Sequence, residues 1–407
     1  MVDFSDTPAQ AAWRQEVAAF VEEALPAKLR DDARYGALGG PGSVPTWPDP
    51  DEHDRAEGEF RDALIERGWA APAWPREYGG AELPVDQQFI LNEVLAEYRA
   101  PRAGVLDVGS TIMVHASEEL KRRFLPGFVE GKDKWAQGYS EPGSGSDLAS
   151  LRTRADRDGD DFVLNGQKIW TSRANEADWM FGLFRTNPDA PKHRGITYLL
   201  LEMDTPGISV RPLEQINGRD EFNEVFFEDV RVPVDQAVGE INRGWYVGAT
   251  HLDFERSSIG SALTMLQTLG DLFELIEEEE ADQPAARVDP RRSPTLRGEI
   301  ADRWTEANVA RLFSYRVISM QLRDEVPNYE ASMQKLFTDQ LVQGIARTAM
   351  KALGLYGPLW DGEDERTVLR AKWSRGYLGA IATTIGGGTS EIQRNIIATR
   401  GLGLPRG

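Results

Sequence analysis

Four short segments of the chain carry residue types that could do chemistry. The run Tyr139-Ser-Glu-Pro-Gly-Ser-Gly-Ser-Asp147 gathers hydroxyls and small residues into a tight loop. Its exposed backbone N–H groups could meet an anionic or carbonyl-rich ligand, although the same composition also makes a plain polar turn. In Lys168-Ile-Trp-Thr-Ser172, strand alternation puts Trp170 and Ser172 on one side, an aromatic plane beside a hydroxyl that suits a flat heteroaromatic. A core tryptophan with a surface serine fits that segment alone just as well. Ile385-Gly-Gly-Gly-Thr-Ser-Glu-Ile-Gln393 is a glycine turn running into a helix, with Ser390 and Gln393 spaced as a capping box. Such a helix start can cradle a pyrophosphate or a thioester oxygen, or simply be well capped. Finally, Glu255 adjoins Arg256 in LDFERSSIG. A carboxylate can act as a general base, but an acidic residue beside a basic one on a helix is commonly a solvated face.

Composition removes other chemistries. With no cysteine among 407 residues, disulfides, thiolate nucleophiles, iron–sulfur clusters and cysteine zinc sites are excluded, so redox work needs a borrowed cofactor. The four histidines (His53, His115, His193, His251) are far apart, with no helical metal-site spacing, and no metal is expected. A net charge of −20 without a lysine/arginine stripe makes nucleic acid a poor partner. Met1 leads into VDFSDTPAQ without a basic and then apolar stretch, and eighteen consecutive apolar residues occur nowhere, so no secretory leader, no membrane association and a cytoplasmic location are expected.

The elements that must hold these segments fall into three blocks. Residues 1–133 carry helical spacing, as in Trp13, Val17, Phe20, Val21 and Ala24, interrupted by a Gly/Pro/Asp-rich loop from Gly36 to Pro50. Residues 134–240 change to short β-rich runs with turn signals at Asp158-Gly159 and Asn165-Gly166, which predicts an antiparallel sheet or barrel. Residues 241–407 return to helices: a long one from about Tyr246 to Glu280, one around Leu296, Ile300 and Trp304, and one carrying Met333, Phe337, Leu341 and Ile345. The fold class is α+β without a βαβ repeat, which argues against a Rossmann fold.

In this order the segments resemble the acyl-CoA dehydrogenase family over nearly the whole chain. The likeness is carried by WPREYGG (Trp74 to Gly80), YSEPGSGSDL (Tyr139 to Leu148), LNGQKIWTS (Leu164 to Ser172), FFEDVRVP (Phe226 to Pro233) and GGGTSEIQRNIIATR (Gly386 to Arg400). The resemblance implies an N-terminal helical domain, a central antiparallel β domain and a C-terminal four-helix bundle, with FAD where the three meet. It implies that Tyr139, Ser140, Gly145 and Ser146 line the flavin and its phosphates, with Ser146 also near substrate. Trp170 and Ser172 would stand against the ring, and Thr389 and Glu391 would reach the ribose and phosphate region. The implied reaction removes the α-proton of an acyl-CoA with a carboxylate and passes the β-hydrogen to the flavin as hydride, giving a trans-2-enoyl-CoA. Burial raises a glutamate's basicity for such a task, and N–H groups on the thioester oxygen stabilise the enolate-like charge.

Many members keep the base as a glutamate before Gly-Thr in the C-terminal motif, where this chain has Gly387. A minority, including isovaleryl-CoA and long-chain enzymes, keep it before an arginine on the long helix, the position of Glu255 before Arg256. By that analogy Glu255 is the catalytic base, sharing a helix face with Ser258, Ile259 and Ala262. Gly387 then offers its N–H to the thioester oxygen. Gly386 and Arg256 border the substrate, and the absent side chain at Gly386 leaves room for a branched or bulky acyl group.

A second departure concerns the cofactor's far half. The family's Arg-x-x-Phe-Gly segment is missing from EEEEADQPAARVDPRRSP, and its Gln-x-x-Gly-Gly-x-Gly segment reads Lys351-Ala-Leu-Gly-Leu-Tyr-Gly357. Either Arg291 or Arg292 with Lys351 replaces these contacts in a homo-oligomer, dimer or tetramer, or a paralogous partner supplies them, as in the heteromeric steroid-CoA dehydrogenases of actinobacteria. The resemblance also implies an electron-transferring flavoprotein as acceptor and a place in fatty acid or steroid catabolism. Two other readings stand beside it: a flavin monooxygenase or oxidase on the same fold, and a subunit that only shapes a partner's flavin site.

Overall fold

The computed structural model describes residues 6–38, 45–103, 107–256, 260–278, 293–323, 325 and 327–405, without the side chains of 252–256, 260–261 and 278. The chain divides into two compact units: Met1–Arg76, Gly80–Gly104 and Arg256–Gly407 form the first, and Glu77–Gly79 with Val105–Glu255 the second.

In the first unit the N-terminal helices are α1 (Pro8–Ala24), α2 (Ala27–Asp32), α3 (Pro50–Glu66) and α4 (Val85–Glu97). Local chemistry fixes their ends. Thr7 and Gln10 make a reciprocal capping box around Pro8, and Asp49 caps α3 ahead of Pro50, where a missing N–H costs nothing.

The second unit opens with α5 (Asp107–His115) and α6 (Glu118–Glu130), the latter capped by Ser117 and ended by Gly131 at φ 65°. Eight strands follow: β1 (Trp135–Gly138), β2 (Arg154–Asp158), β3 (Asp161–Ser172), β4 (Trp179–Arg185), β5 (Ile196–Glu202), β6 (Ile208–Leu213), β7 (Phe222–Pro233) and β8 (Ala237–Val238). They form one sheet in the order β6-β7-β3-β2-β4-β5-β8, with β1 paired to β4. Neighbours are mostly antiparallel, as the turn signals imply, but β1 runs parallel to β4, which makes the sheet mixed. Phe162, Leu164, Phe184, Leu199, Val225 and Phe227 form its core. The unit closes with α7 (Gly244–Arg256), all but its last residue.

The remaining helices belong to the first unit: α8 (Gly260–Glu278), α9 (Pro294–Gln321), α10 (Tyr329–Leu353), α11 (Lys372–Thr383) and α12 (Ser390–Ile396). Helix α10 is the central member and packs on α8, α9 and α11. Leu269, Leu272, Ala307, Ile345, Ala349 and Trp373 fill the space between them. No described helix is long and apolar enough to cross a membrane.

The stretch read as one helix from about Tyr246 to Glu280 is helical wherever it is described, in α7 and α8, while 257–259, and hence Ser258 and Ile259, lie outside the described residues. One expectation changes. Asp158-Gly159 does turn the chain, with Asp158 opposite Asp161, but Asn165-Gly166 does not: β3 runs straight through it. Gly166 is instead an irregularity in the register with β7, at φ 144°, where a Cβ would lie 2.8 Å from Thr153 Cα. Glycine relieves that close backbone approach, while the extra residue is on β7, where Asp229 takes φ 53°, so the pair faces a bulge and makes no turn.

Candidate functional site

Strand β3 does not reach Trp170 by simple alternation. Between the pairs Lys168↔Val225 and Thr171↔Asn223 three steps pass on β3 for two on β7, so one extra residue is inserted. Trp170 adopts φ 60°, a left-handed conformation that costs a residue with a Cβ roughly 1–2 kcal/mol. The insertion separates residues that alternation would put together. Lys168 and Thr171 point inward and are fully buried, while Trp170 is 59 % exposed and Ser172 is exposed. Asn223, buried, secures the bulge by donating from Nδ2 to the carbonyls of Thr171 (3.1 Å) and Glu221 (3.0 Å). The indole touches Phe222 edge-on at 6.1 Å between ring centroids. A large aromatic plane held out of the core by a strained backbone is a feature associated with function.

Beside it runs the loop that starts at Tyr139. Its Ser140 carbonyl accepts from Ile169 N at 2.9 Å, which fastens the loop to β3. Gly145, Ser146 and Asp147 are exposed, and a Cβ at Gly145 would meet nothing within 4 Å. Tyr139 differs from the rest, because its ring is buried edge-on against Phe181, Tyr198 and His251. An exposed indole and Ser172 beside a polar loop with open space at Gly145 and Ser146 fit a flat ring with a polar chain. At Tyr139 and Ser140 the carbonyls are already taken, by Lys168 Nζ and Ile169 N.

Under the loop lies a buried ion pair that the sequence reading passed over. Lys168 Nζ donates to Glu141 Oε1 (2.8 Å), Leu183 O (2.7 Å) and Tyr139 O (3.2 Å), and Glu141 also accepts from the backbone N–H groups of Arg152 (2.6 Å) and Thr153 (2.9 Å). Burial pushes the Glu141 carboxyl up, but the Lys168 ammonium outweighs it and holds the group below its usual range. For Lys168 burial works downward against Glu141. It is nevertheless an ammonium, since all three of its neighbours accept and none donates. A lysine at an inward strand position, within the quoted KIWTS segment, was the available signal.

Helix α7 approaches the same sheet along a glycine stripe. A Cβ at Gly244 would fall 2.2 Å from Tyr198 N, and one at Gly248 would lie 3.2 Å from Leu183 Cδ1. His251 continues the stripe, buried, with Nδ1 3.3 Å from Thr111 Oγ1, and burial pushes its imidazole down to about 4, so it is neutral at pH 7. Glu255 occupies the next position of that stripe, eleven residues from Gly244, where helical periodicity returns to within about 20° of the same direction. The side chains of Glu255 and Arg256 lie outside the described residues.

In the first unit, the Gly386–Gly388 turn takes φ 62° at Gly387 and 93° at Gly388. The cap of α12 is not the expected Ser390–Gln393 box. Thr389 is the N-cap, accepting from Ile392 N at 3.3 Å, and Glu391, exposed, lies in the first turn. Gln393 is fully buried and folds back, its Nε2 donating to the carbonyls of Gly387 (3.3 Å) and Gly388 (3.1 Å). The amide N–H groups of Gly387, Gly388 and Thr389 meet no acceptor among the described residues. Lys351 is held by Glu299 at 2.7 and 2.8 Å, while Arg291 and Arg292 lie outside the described residues. Among the described residues no group of three or more His, Asp or Glu side chains gathers as a metal site.

Known proteins carry the same plan. The N-terminal, middle and C-terminal domains of acyl-CoA dehydrogenases match residues 44–132, 136–230 and 242–402. Acyl-CoA dehydrogenase IpdE1 of Mycobacterium tuberculosis is 37 % identical over 383 residues, covering 92 % of this chain and 93 % of its own. Among solved structures, the steroid ACAD Tcur3481-Tcur3483 superposes with a TM-score of 0.80 at 32 % identity over 100 % of both chains. The ChsE4-ChsE5 complex from Mycobacterium tuberculosis gives 0.77 at 32 % identity, again over 100 % of both. The chain belongs to the acyl-CoA dehydrogenase family, oxidoreductases that act on the CH–CH bond of an acyl-CoA with FAD as their cofactor.

Proposed function

We propose that this protein dehydrogenates a branched or bulky acyl-CoA, of steroid type, to the trans-2-enoyl-CoA, with Glu255 as the base that takes the α-proton. The observation that carries the reading is the register of α7. Gly244, Gly248 and His251 form the stripe that lies against Tyr198, Leu183 and Thr111, and Glu255 is its next member. Bound FAD would supply the hydride acceptor. Trp170, Ser172 and the backbone at Tyr139, Ser140, Gly145 and Ser146 would hold its ring and polar chain, with Thr389 and Glu391 toward its ribose end. Gly387 would turn its N–H to the thioester oxygen, where developing charge is stabilised by a donor fixed in advance. Arg256 and Gly386 would border the acyl chain. The neutral imidazole of His251 adds no charge beside the base.

The bulky substrate is supported by the missing side chains at Gly386 and Gly387 and by similarity to a steroid ACAD. Assembly with a paralogous chain is supported by Lys351, whose ammonium is engaged by Glu299, and by similarity to the ChsE4-ChsE5 complex. An electron-transferring flavoprotein would reoxidise the flavin. The test is Glu255→Gln, purified alone or with its partner. It should keep FAD but reduce it with the best acyl-CoA about 10²–10⁴-fold more slowly. Flavin reduction at the wild-type rate would remove Glu255 from the chemistry. Screening straight, branched and steroid-side-chain CoA esters by flavin bleaching tests the substrate class, and a strict preference for straight chains overturns it.

A further inference from the structure

Resting on that reading, we infer that Lys168 and Arg185 are positioning residues that hold the two ends of the cofactor loop from Tyr139 to Leu151. Lys168 grips the entry, through the carbonyl of Tyr139 and the carboxylate of Glu141. Arg185, on β4, which β2 separates from β3, grips the exit. Its Nη2 donates to Ala149 O at 2.7 Å and its Nε to Leu151 O at 3.3 Å, while Nη1 spans Lys192 O (3.1 Å) and Arg194 O (3.2 Å). Both cations are buried, at 0 and 8 % exposure. Arg185 spends its fork on four carbonyls, which three-donor lysine geometry cannot reproduce.

Between these grips the loop is pinned further: Ser144 Oγ donates to the carbonyls of Asp147 (3.0 Å) and Leu148 (3.2 Å), Ser150 Oγ to that of Asp147 (2.7 Å), and Lys192 Nζ to the Asp147 carboxylate (2.5 Å). What remains exposed without a side-chain grip is short: Pro142, Gly143, Gly145 and Ser146. Ordering a free residue costs roughly 1–2 kcal/mol of backbone entropy. A loop ordered by its own scaffold spares a ligand that cost, so the two cations act on cofactor affinity through loop shape, without touching the cofactor. Lys168 is the last paired residue before the β3 bulge and Trp170 lies in it, so the grip that fixes the loop also fixes the strand presenting the indole.

The test is FAD affinity of the full-length protein, stripped of flavin and titrated back, with the visible flavin spectrum and circular dichroism recorded for each variant. Lys168→Met and Arg185→Lys should keep the native dichroism, raise the FAD Kd at least tenfold and shift the bound spectrum toward free flavin. Limited proteolysis of the flavin-free variants should cut within 142–147 faster than wild type. A folded variant with wild-type Kd, spectrum and cleavage rate overturns the inference. Should Lys168→Met fail to fold, Arg185→Lys decides alone, since it keeps the charge and can retain a carbonyl bond. A wild-type protein that never binds FAD, alone or with its partner, would sink the proposed function and not the loop grip, which proteolysis still reads.

Discussion

Replacing Glu93 with glutamine should destabilise the helical unit by about 2–3 kcal/mol at pH 7. The carboxylate is 1 % exposed on α4 and joins it to α9 and α1: Tyr315 Oη donates to Oε1 at 2.6 Å, Arg311 Nη2 to Oε1 at 2.8 Å and Arg14 Nη2 to Oε2 at 2.8 Å. Hydrogen bonds to a charged group contribute about 1.5–3 kcal/mol each when lost singly. The sum is reduced here, because Arg14 keeps Asp6 at 2.7 Å and both guanidiniums reach water. Glutamine preserves the volume, so no cavity adds to the cost, but one arm of its amide then presents N–H to a donor. Burial alone would raise the Glu93 pKa, yet the bonds from Tyr315, Arg311 and Arg14 prevail and hold it below the usual carboxylate value. The stabilisation is therefore complete above the unfolded value of about 4.3 and is lost as pH falls through the folded one. Urea titration read by circular dichroism should show a midpoint lowered by about 1 M at pH 7, taking m as about 2–3 kcal/mol/M. The gap to wild type should stay constant above about pH 5 and close in stronger acid. A midpoint within about 0.2 M of wild type, or a gap that persists undiminished at the lowest pH where both proteins fold, would refute the reasoning.

Two further substitutions probe the candidate site. Trp170→Gly removes an exposed indole but also a positive φ that glycine adopts freely, so urea stability should stay level or rise by up to about 1 kcal/mol while FAD retention falls. A clear loss of stability would instead mark Trp170 as a core residue. Gly388→Ala forces a Cβ to 2.7 Å from Gln393 Nε2 at φ 93°, so it should cost roughly 1–3 kcal/mol and displace the Gly387 carbonyl from its amide. An unchanged urea midpoint with unchanged acyl-CoA turnover would mean that the turn does not depend on this glycine.

Element order was readable because hydrophobic periodicity is local: the 3.6-residue spacing around Val17 and Phe20 and the alternation of Phe162 with Leu164 need no knowledge of the rest of the chain. Asn165-Gly166 misled for the same reason. Its dipeptide chemistry serves a turn or a close backbone approach, and the choice lies with Thr153, whose Cα leaves no room for a side chain. Glu93 was invisible, since its partners stand 79 and 218 positions away and no spacing rule links them. The Lys168–Glu141 pair was half visible. Both residues lie in segments singled out for other members, Trp170 and the hydroxyls, and only the bulge reveals that lysine and tryptophan face opposite ways.

That bulge bears on how the site's parts depend on one another. An uninterrupted β3 would send Lys168, Trp170 and Ser172 to one face, so either the ammonium would be exposed or the indole buried. One inserted residue allows a buried cation to hold the loop and an exposed ring to face outward within three positions, at the cost of a left-handed tryptophan. Asn223 must then satisfy the carbonyl that the ladder abandons, and it does so at zero exposure. The register of α7 rests on Gly244 and Gly248 against β5 and β4, and meets the loop only where Gly248 and His251 touch the Tyr139 side chain. Loop-grip variants should therefore change cofactor affinity without changing which residue takes the proton. Glu255→Gln should do the reverse, and that separation makes the two proposals fail separately.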